Sequence, residues 1–231
     1  MPIARALITL SFLAGLAAVP ARAFTPSQPV KQPELPPNGP SRQYLRAYGV
    51  PGHAMMPTLQ RGEVALMDTS AYRGEAPKRG DIVIYSRDRA AQEWIAFRVI
   101  GIGGDRIALA SGRIILNGKR LGERPTKRSG ETRPGVRRPI VREVLPSGRS
   151  YLVLKASPNS SLANMAERVV PRGKFLLLGD NRDNAADSRI PSTRSGAGLV
   201  DGKEILGRVI WLYQSHAEAR MGVEPDRAPQ P

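Results

Sequence analysis

Two short stretches concentrate the side chains that could do chemistry. Residues 51–59 run Pro-Gly-His-Ala-Met-Met-Pro-Thr-Leu, and their centre, where a nucleophile would stand, is Ala54. Residues 179–189 hold two arginines among three aspartates that could offer oxygen ligands to a metal ion: Asp180, Asp183 and Asp187. This stretch lacks the alternating acids and closing glutamate of a calcium loop, and its arginines oppose a cation. We therefore predict a rigid loop of paired acids and arginines and no metal, with a metal site as the competing interpretation.

Short apolar runs must position these two stretches. A β-branched run at residues 82–85, a longer run at 94–102 and a run at 174–178 predict strands, and the last leads directly into residues 179–189. Asn117-Gly118 is a hairpin-turn dipeptide, and residues 146–149 join two further strands. The pattern predicts an antiparallel arrangement.

Two other segments look functional but are interpreted as structural. The glycines at 101, 103 and 104 lack the lysine and the helix of a phosphate loop, so they indicate a turn. Residues 122–138 are basic and poor in apolar side chains, which predicts a surface loop. No aromatic residues interleave with these basic ones, so no nucleic-acid partner is expected.

Composition favours a globular, β-rich, basic protein. Glycine and proline together number 44, which indicates many turns, and 41% of the residues are hydrophobic, enough for a core. The net charge of +15 favours anionic partners such as phospholipid head groups, anionic wall polymers or acidic protein segments, although a merely solvated basic surface is equally compatible with it. The absence of cysteine excludes disulfides and thiol chemistry.

The ends of the chain predict four segments. Residues 1–23 have the basic start, apolar stretch and Ala-Arg-Ala end of an export signal, with a short membrane anchor as the alternative. Its removal takes away two arginines and no acid, leaving +13. Residues 24–42 are predicted to be a proline-rich linker, 43–216 the β domain and 217–231 a disordered tail.

Residues 51–59, 97–105 and 179–189, with Arg79-Gly80-Asp81 between the first two, resemble type I signal peptidases. These are membrane-bound serine endopeptidases that remove signal peptides from exported proteins. The resemblance covers roughly residues 48–213 and is most specific in the Asp-Asn-Arg-Asp-Asn-x-Ala-Asp-Ser-Arg sequence at 180–189. It implies a mainly β fold of two antiparallel sheets with extended loops, and catalysis by a serine whose proton passes to a lysine.

Carried over residue by residue, the resemblance places all four catalytic groups on residues that lack them. The nucleophile falls on Ala54, the general base on Phe97, the oxyanion serine on Gly52 and the base-orienting hydroxyl on Ala185. The groove residues that match are Met55, Met56 and Pro57, and the scaffold residues that match are Arg98, Asp105, Asp180, Arg182, Asp187, Ser188 and Arg189. The resemblance further implies that Asp180 pairs with Arg98, and Asp187 with Arg189.

Three hypotheses follow. The first is a catalytically inactive homologue that needs no cofactor and binds signal peptides or other extended peptides, or a protein partner. The second is an enzyme that uses other groups such as His53 and Ser188, although a base needs a hydroxyl within about 3 Å and Ala54 has none. The third is a basic envelope-binding protein that uses only its surface. All three place the protein outside the cytoplasm, in the periplasm or another extracytoplasmic space, free or associated with an anionic membrane surface.

Overall fold

The computed structural model describes residues 39–88, 93–220 and 223–228. The predicted export signal and residues 24–38 of the predicted linker lie outside the described residues. Strands dominate the rest. They are β1 (Leu45–Gly49), β2 (Val64–Asp68), β3 (Ile82–Asp88), β4 (Glu93–Gly101), β5 (Arg106–Ala110), β6 (Arg113–Leu116), β7 (Lys119–Arg120), β8 (Gly122–Arg133), β9 (Val136–Val144), β10 (Ser150–Leu154), β11 (Met165–Val169), β12 (Lys174–Leu178), β13 (Leu199–Asp201) and β14 (Ile205–Gln214). Short 3₁₀ helices occupy Arg42–Tyr44, Ser192–Arg194, Gly202–Glu204, Glu218–Arg220 and Pro225–Arg227.

The strands pair antiparallel in three sheets. Seven strands follow the order β1-β2-β14-β3-β4-β12-β13, three follow β10-β9-β8, and four follow β11-β5-β6-β7. The predicted mainly β, antiparallel fold is confirmed, with three hydrogen-bonded sheets in the described residues where the resemblance implies two.

Strands β4 and β12 lie between two hydrophobic cores. In β4, Phe97 and Val99 belong to one core and Ile100 to the other. In β12, Leu177 faces the first core, whereas Leu176 and Leu178 face the second. Strands buried on both faces read as continuous apolar runs, which is why these two segments carry a clear strand signal in the sequence.

The predicted turns are present. Asn117 and Gly118 both have positive φ, 51° and 78°, between β6 and β7, as a two-residue hairpin turn requires. Gly104 has φ +94° and its N–H donates to Val170 O, while Asp105 N donates to Ile102 O, so the predicted turn at 101–104 joins β4 to β5.

The predicted surface loop at residues 122–138 is wrong. These residues form β8 and the start of β9, paired from Gly122↔Val144 to Arg133↔Val136. Backbone hydrogen bonds form this hairpin without an apolar face, so the polar sequence carries no strand pattern. Thr132 of β8 is buried, and the hydroxyl of Thr132 donates a hydrogen bond to Val136 O at 3.1 Å.

The described part of the predicted disordered tail is folded against the domain. Arg220 is buried, and its guanidinium donates to Glu63 at 2.7 Å and to Thr58 O at 2.9 Å. Pro225 and Ala228 are also buried. The sequence did not predict this packing, because a single arginine forms no local pattern and its partner, a buried carboxylate, lies far away in the chain. No helix in the described ranges is long and apolar enough to cross a membrane.

Candidate functional site

Three of the four positions assigned by resemblance to catalytic groups converge on Gly179, which directly follows β12. A Cβ built on Gly179 would lie 2.4 Å from Ala185 Cβ, 2.6 Å from Ala54 O and 3.4 Å from Phe97 Cε1. Only glycine permits so close an approach. The fold therefore brings together Ala54, Phe97 and Ala185 from three distant segments, a cluster that we call the apolar centre.

Residues 51–59 are anchored on one side and open on the other. Met55 and Leu59 are buried in the first core, and Asn181 N donates to Ala54 O at 2.9 Å. By contrast, a Cβ at Gly52 would have no atom within 4 Å. Among the described residues, nothing accepts a hydrogen bond from the N–H groups of residues 52–54. The segment thus presents an open run of free backbone donors.

The Phe97 side chain is 2% exposed and packs on Tyr85, with ring centroids 6.2 Å apart and planes inclined by 28°. Ala185 is 5% exposed. Burial raises the pKa of the Tyr85 phenol, which keeps this neighbour neutral. The apolar centre therefore contains no side chain that could act as a nucleophile or accept a proton near neutral pH.

The suggested substitute groups, His53 and Ser188, are not hydrogen-bonded to each other in the described part of the structure. Ser188 is fully buried, and its hydroxyl oxygen accepts a hydrogen bond from Leu177 N at 2.8 Å. His53 is partly buried, and its carbonyl accepts from Met56 N and Asn181 Nδ2. Within the described ranges its imidazole has no hydrogen-bond partner. Neither residue thus has a proton-transfer partner there.

Immediately beside the apolar centre lies a buried ion cluster around Arg98. Its guanidinium donates to both oxygens of Asp180, at 2.8 and 2.6 Å, and to both oxygens of Asp226, at 3.1 and 2.7 Å. It also stacks over the Tyr151 ring at 4.1 Å, and Thr58 Oγ1 donates to Asp180 at 2.5 Å. Burial opposes the charged form, but Asp180 and Asp226 hold the pKa of Arg98 well above its ordinary value.

The loop at 179–189 is fixed by similar pairs. Asp187 accepts from Arg189 at 2.8 and 2.7 Å and from Gly179 N at 2.9 Å. Asp183 accepts from Arg138 at 2.9 Å. Each of the three loop aspartates thus has an arginine partner, and no cluster of three potential ligands for a metal occurs within residues 39–88, 93–220 and 223–228.

Arg182, the second arginine of this loop, binds a residue from another sheet. Its Nε donates to Gly179 O at 3.0 Å, and its two terminal nitrogens donate to Glu143 of β9 at 2.5 and 2.6 Å. Burial lowers the stability of the charged form, yet Glu143 raises the pKa of Arg182 above its ordinary value. This pair ties the apolar centre to the polar hairpin.

Asp105 completes the scaffold at the far end of β4. Burial pushes its pKa upward, but hydrogen bonds from Arg79 at 2.8 and 2.5 Å, from Ile102 N at 2.9 Å and from Asn117 at 3.0 Å hold the pKa below its ordinary value. Arg79 of the Arg-Gly-Asp sequence at 79–81 thus holds the β4–β5 turn, while Asp81 accepts from Arg149 at 2.9 Å.

Sequence reasoning missed Gly179, Glu143, Glu63, Arg220 and Asp226. Gly179 was a detectable signal, because a glycine between a buried strand and a polar loop often marks a close backbone approach. The others are isolated charges far from their partners in the chain, and no local pattern identifies them.

The family model and two sequence relatives agree on one family. The family model described as signal peptidase, peptidase S26, matches residues 42–214. Signal peptidase IB of Staphylococcus aureus (strain MRSA252) is 27% identical over 183 residues, which cover 78% of this chain and 83% of that protein. Signal peptidase I of Rickettsia typhi is 31% identical over 145 residues, 60% of this chain and 53% of that protein. A crystal structure of a signal peptidase I from Enterococcus faecalis V583 aligns with a TM-score of 0.33 and 19% identity, over 58% of this chain and 97% of that one.

Proposed function

Because this chain belongs to the signal peptidase family, peptidase S26, we propose that it is a catalytically inactive member that binds extended peptides without cleaving them. The observation that carries the proposal is the apolar centre: Ala54, Phe97 and Ala185 meet around Gly179 and offer neither nucleophile nor base.

The mechanism that the resemblance implies needs a serine hydroxyl as nucleophile and a desolvated lysine that removes the proton of that hydroxyl. Phe97 fills the base position with a buried ring, and Ala54 fills the nucleophile position with a methyl group. Groups of this kind act as a unit, so the loss of both removes most of the rate enhancement.

Peptide binding requires a different set of groups, and these are present. The N–H groups of residues 52–54 are free in the described structure, and the space over Gly52 is open. An extended peptide can accept such backbone hydrogen bonds, as in strand addition, while its side chains contact the partly exposed Met56. Signal peptides, or an extended segment of a partner protein, are the ligands that we propose.

Fluorescence anisotropy of a labelled Ala-x-Ala signal peptide with the full chain tests binding. We expect saturable binding in the micromolar range, weakened at least tenfold by Gly52→Val, which fills the open space. Gly49→Val is the matched control, because a Cβ at either glycine has no atom within 4 Å. Absence of binding at high micromolar peptide, or equal effects of the two substitutions, would contradict the proposal.

A reconstruction experiment tests inactivity separately. The unmodified chain should not cleave a quenched signal-peptide substrate. Ala54→Ser with Phe97→Lys, supplemented by Gly52→Ser and Ala185→Ser, should gain cleavage, whereas Ala54→Ser with Phe97→Met should not, because it lacks a base. Turnover by the unmodified chain that disappears in Ser188→Ala or His53→Ala would favour an active enzyme instead.

The proposed site of action is outside the cytoplasm, as the export-type sequence at residues 1–23 predicts. Fractionation of cells that produce a tagged full chain checks this, and recovery in the cytoplasm would contradict it. Salt extraction of a membrane-bound pool would indicate attachment through the basic surface.

A further inference from the structure

A cavity of about 570 Å³ lies among β9, β10, β14 and the segment at 224–227, and none of the residues of the apolar centre line it. Its charged lining consists of Arg142, Arg149, Arg208, Glu224, Asp226 and Arg227. Four arginines thus face two carboxylates, and the lining has an excess of positive charge.

Both carboxylates are already engaged. Asp226 accepts from Arg98 at 2.7 and 3.1 Å and from Arg149 at 3.3 Å. Glu224 pairs with Arg227 at 3.3 Å. Arg149 is also bound to Asp81 at 2.9 Å. These contacts neutralise Arg149 and Arg227 and leave two arginines of the lining without a carboxylate.

Those two are Arg142 and Arg208. Arg142 has one long contact, from Nη1 to Ser150 Oγ at 3.4 Å. Arg208 lies opposite Asp68 in the β14–β2 pairing, but Asp68 accepts from Ser70, and neither arginine forms an ion pair within the described residues. Arg208 Nε is buried and has no hydrogen-bond partner in the described structure. A buried donor without an acceptor is costly, so this arginine has an unmet requirement for an oxygen ligand.

Arg208 also borders a second cavity, of about 750 Å³, together with Arg149. The other charged residues of that lining are Glu75, Lys78, Arg79 and Asp81. Lys78 pairs with Glu75, Arg79 with Asp105 and Arg149 with Asp81, so Arg208 is the cation of this lining that has no ion pair within the described residues.

We propose that Arg142 and Arg208, with Arg149 beside them, form a binding site for a phosphate group. Guanidinium groups bind phosphate oxygens through two parallel N–H donors, and a tetrahedral phosphate can accept from several arginines at once. A volume of about 570 Å³ holds a phosphate with an attached polar moiety. The phosphate can belong to a phospholipid head group or to a free phosphate or phosphate ester.

Calorimetric titration of the full chain with inorganic phosphate tests whether the site binds phosphate. Co-sedimentation with vesicles that contain phosphatidylglycerol tests whether a lipid head group supplies the phosphate, and vesicles of phosphatidylcholine alone are the control. Arg142→Gln and Arg208→Gln should each weaken binding at least about tenfold, as expected for loss of a charge-assisted hydrogen bond. Arg120→Gln, which removes the same charge from an exposed position on β7, should leave binding unchanged.

Loss of vesicle binding alone assigns the site to a lipid head group, and loss of inorganic-phosphate binding alone assigns it to a free phosphate. Loss in both arms supports a phosphate site that accepts either source. The inference is overturned if neither ligand binds, or if Arg120→Gln weakens binding as much as the two cavity variants. Should Arg208→Gln fail to fold, Arg208→Lys keeps the charge without the paired donors, and binding should still weaken. Unchanged affinity in that variant would overturn the role of Arg208.

Discussion

The apolar centre and the ion cluster around Arg98 lie side by side but differ completely in chemistry. The apolar centre consists of a methyl group, a ring and a second methyl group around Gly179. The ion cluster keeps its buried arginine, both carboxylates and the Thr58 hydroxyl, all hydrogen-bonded. Apolar side chains packed together leave no polar group without a partner, whereas removing one member of a buried ion pair leaves an uncompensated charge. The fold therefore depends on the second region and not on polar groups in the first.

The largest effect should come from breaking the ion cluster. Arg98→Met leaves the buried Asp180 without a cation and Asp226 with only its 3.3 Å contact to Arg149, and should lower the free energy of unfolding by about 4–5 kcal/mol. Urea unfolding followed by circular dichroism measures this. Arg106→Met is the control, because its pair with Glu167 is exposed and should contribute less than about 1 kcal/mol. Equal effects would mean that the cluster does not support the fold.

The next effect tests whether the C-terminal segment belongs to this scaffold. Arg220→Met removes the ion-pair partner of the buried Glu63 and should lower the free energy of unfolding by about 3 kcal/mol. Arg227→Met, in the same segment but in an exposed pair with Glu224, should change it little. If both variants unfold at the same urea concentration as the unmodified chain, residues beyond 216 do not support the domain.

A smaller effect should depend on pH. The pKa of Asp105 is lowered in the folded protein, so its contribution to stability is complete above about pH 4, the ordinary pKa of an unfolded-chain aspartate, and is lost as the pH falls through the folded pKa. Asp105→Asn should therefore cost about 1–2 kcal/mol at pH 7 and less at pH 3, measured by urea unfolding at both values. A cost that is the same at both pH values would show that charge plays no part at this turn.

The smallest effect should come from introducing a hydroxyl at Ala54, the least buried position of the apolar centre. Ala54 is only partly buried, so Ala54→Ser should change the free energy of unfolding by less than about 1 kcal/mol. Ala185→Ser, at a buried position, should cost about 1–2 kcal/mol because the new hydroxyl must find a partner. A loss above about 2 kcal/mol for Ala54→Ser would mean that the centre has packed tightly around alanine.

The fold and the outline of the site were accessible from the sequence to different degrees. Apolar runs in the sequence predicted the strands β3, β4 and β12, because a strand that is buried on one or both faces is rich in apolar residues. The strand structure of residues 122–138 was not predicted, because backbone hydrogen bonds hold its pairing and most of its side chains are polar. Resemblance supplied the pairs Arg98–Asp180 and Asp187–Arg189, and the structure contains both.

By itself, the sequence determined which side chains stand at the positions that the resemblance assigns to catalytic groups: no fold can supply a hydroxyl at Ala54 or an amine at Phe97. It also determined the strand-rich character, the turns at glycine and the excess of positive charge. Only the tertiary structure decided that Ala54, Phe97 and Ala185 meet at Gly179, that Asp226 and Arg220 complete buried ion pairs, and that Arg142 and Arg208 share a cavity without carboxylate partners. The reason is physical. The identity of a side chain is local, but its burial and its partner are set by residues distant in the chain that packing brings within a few ångströms.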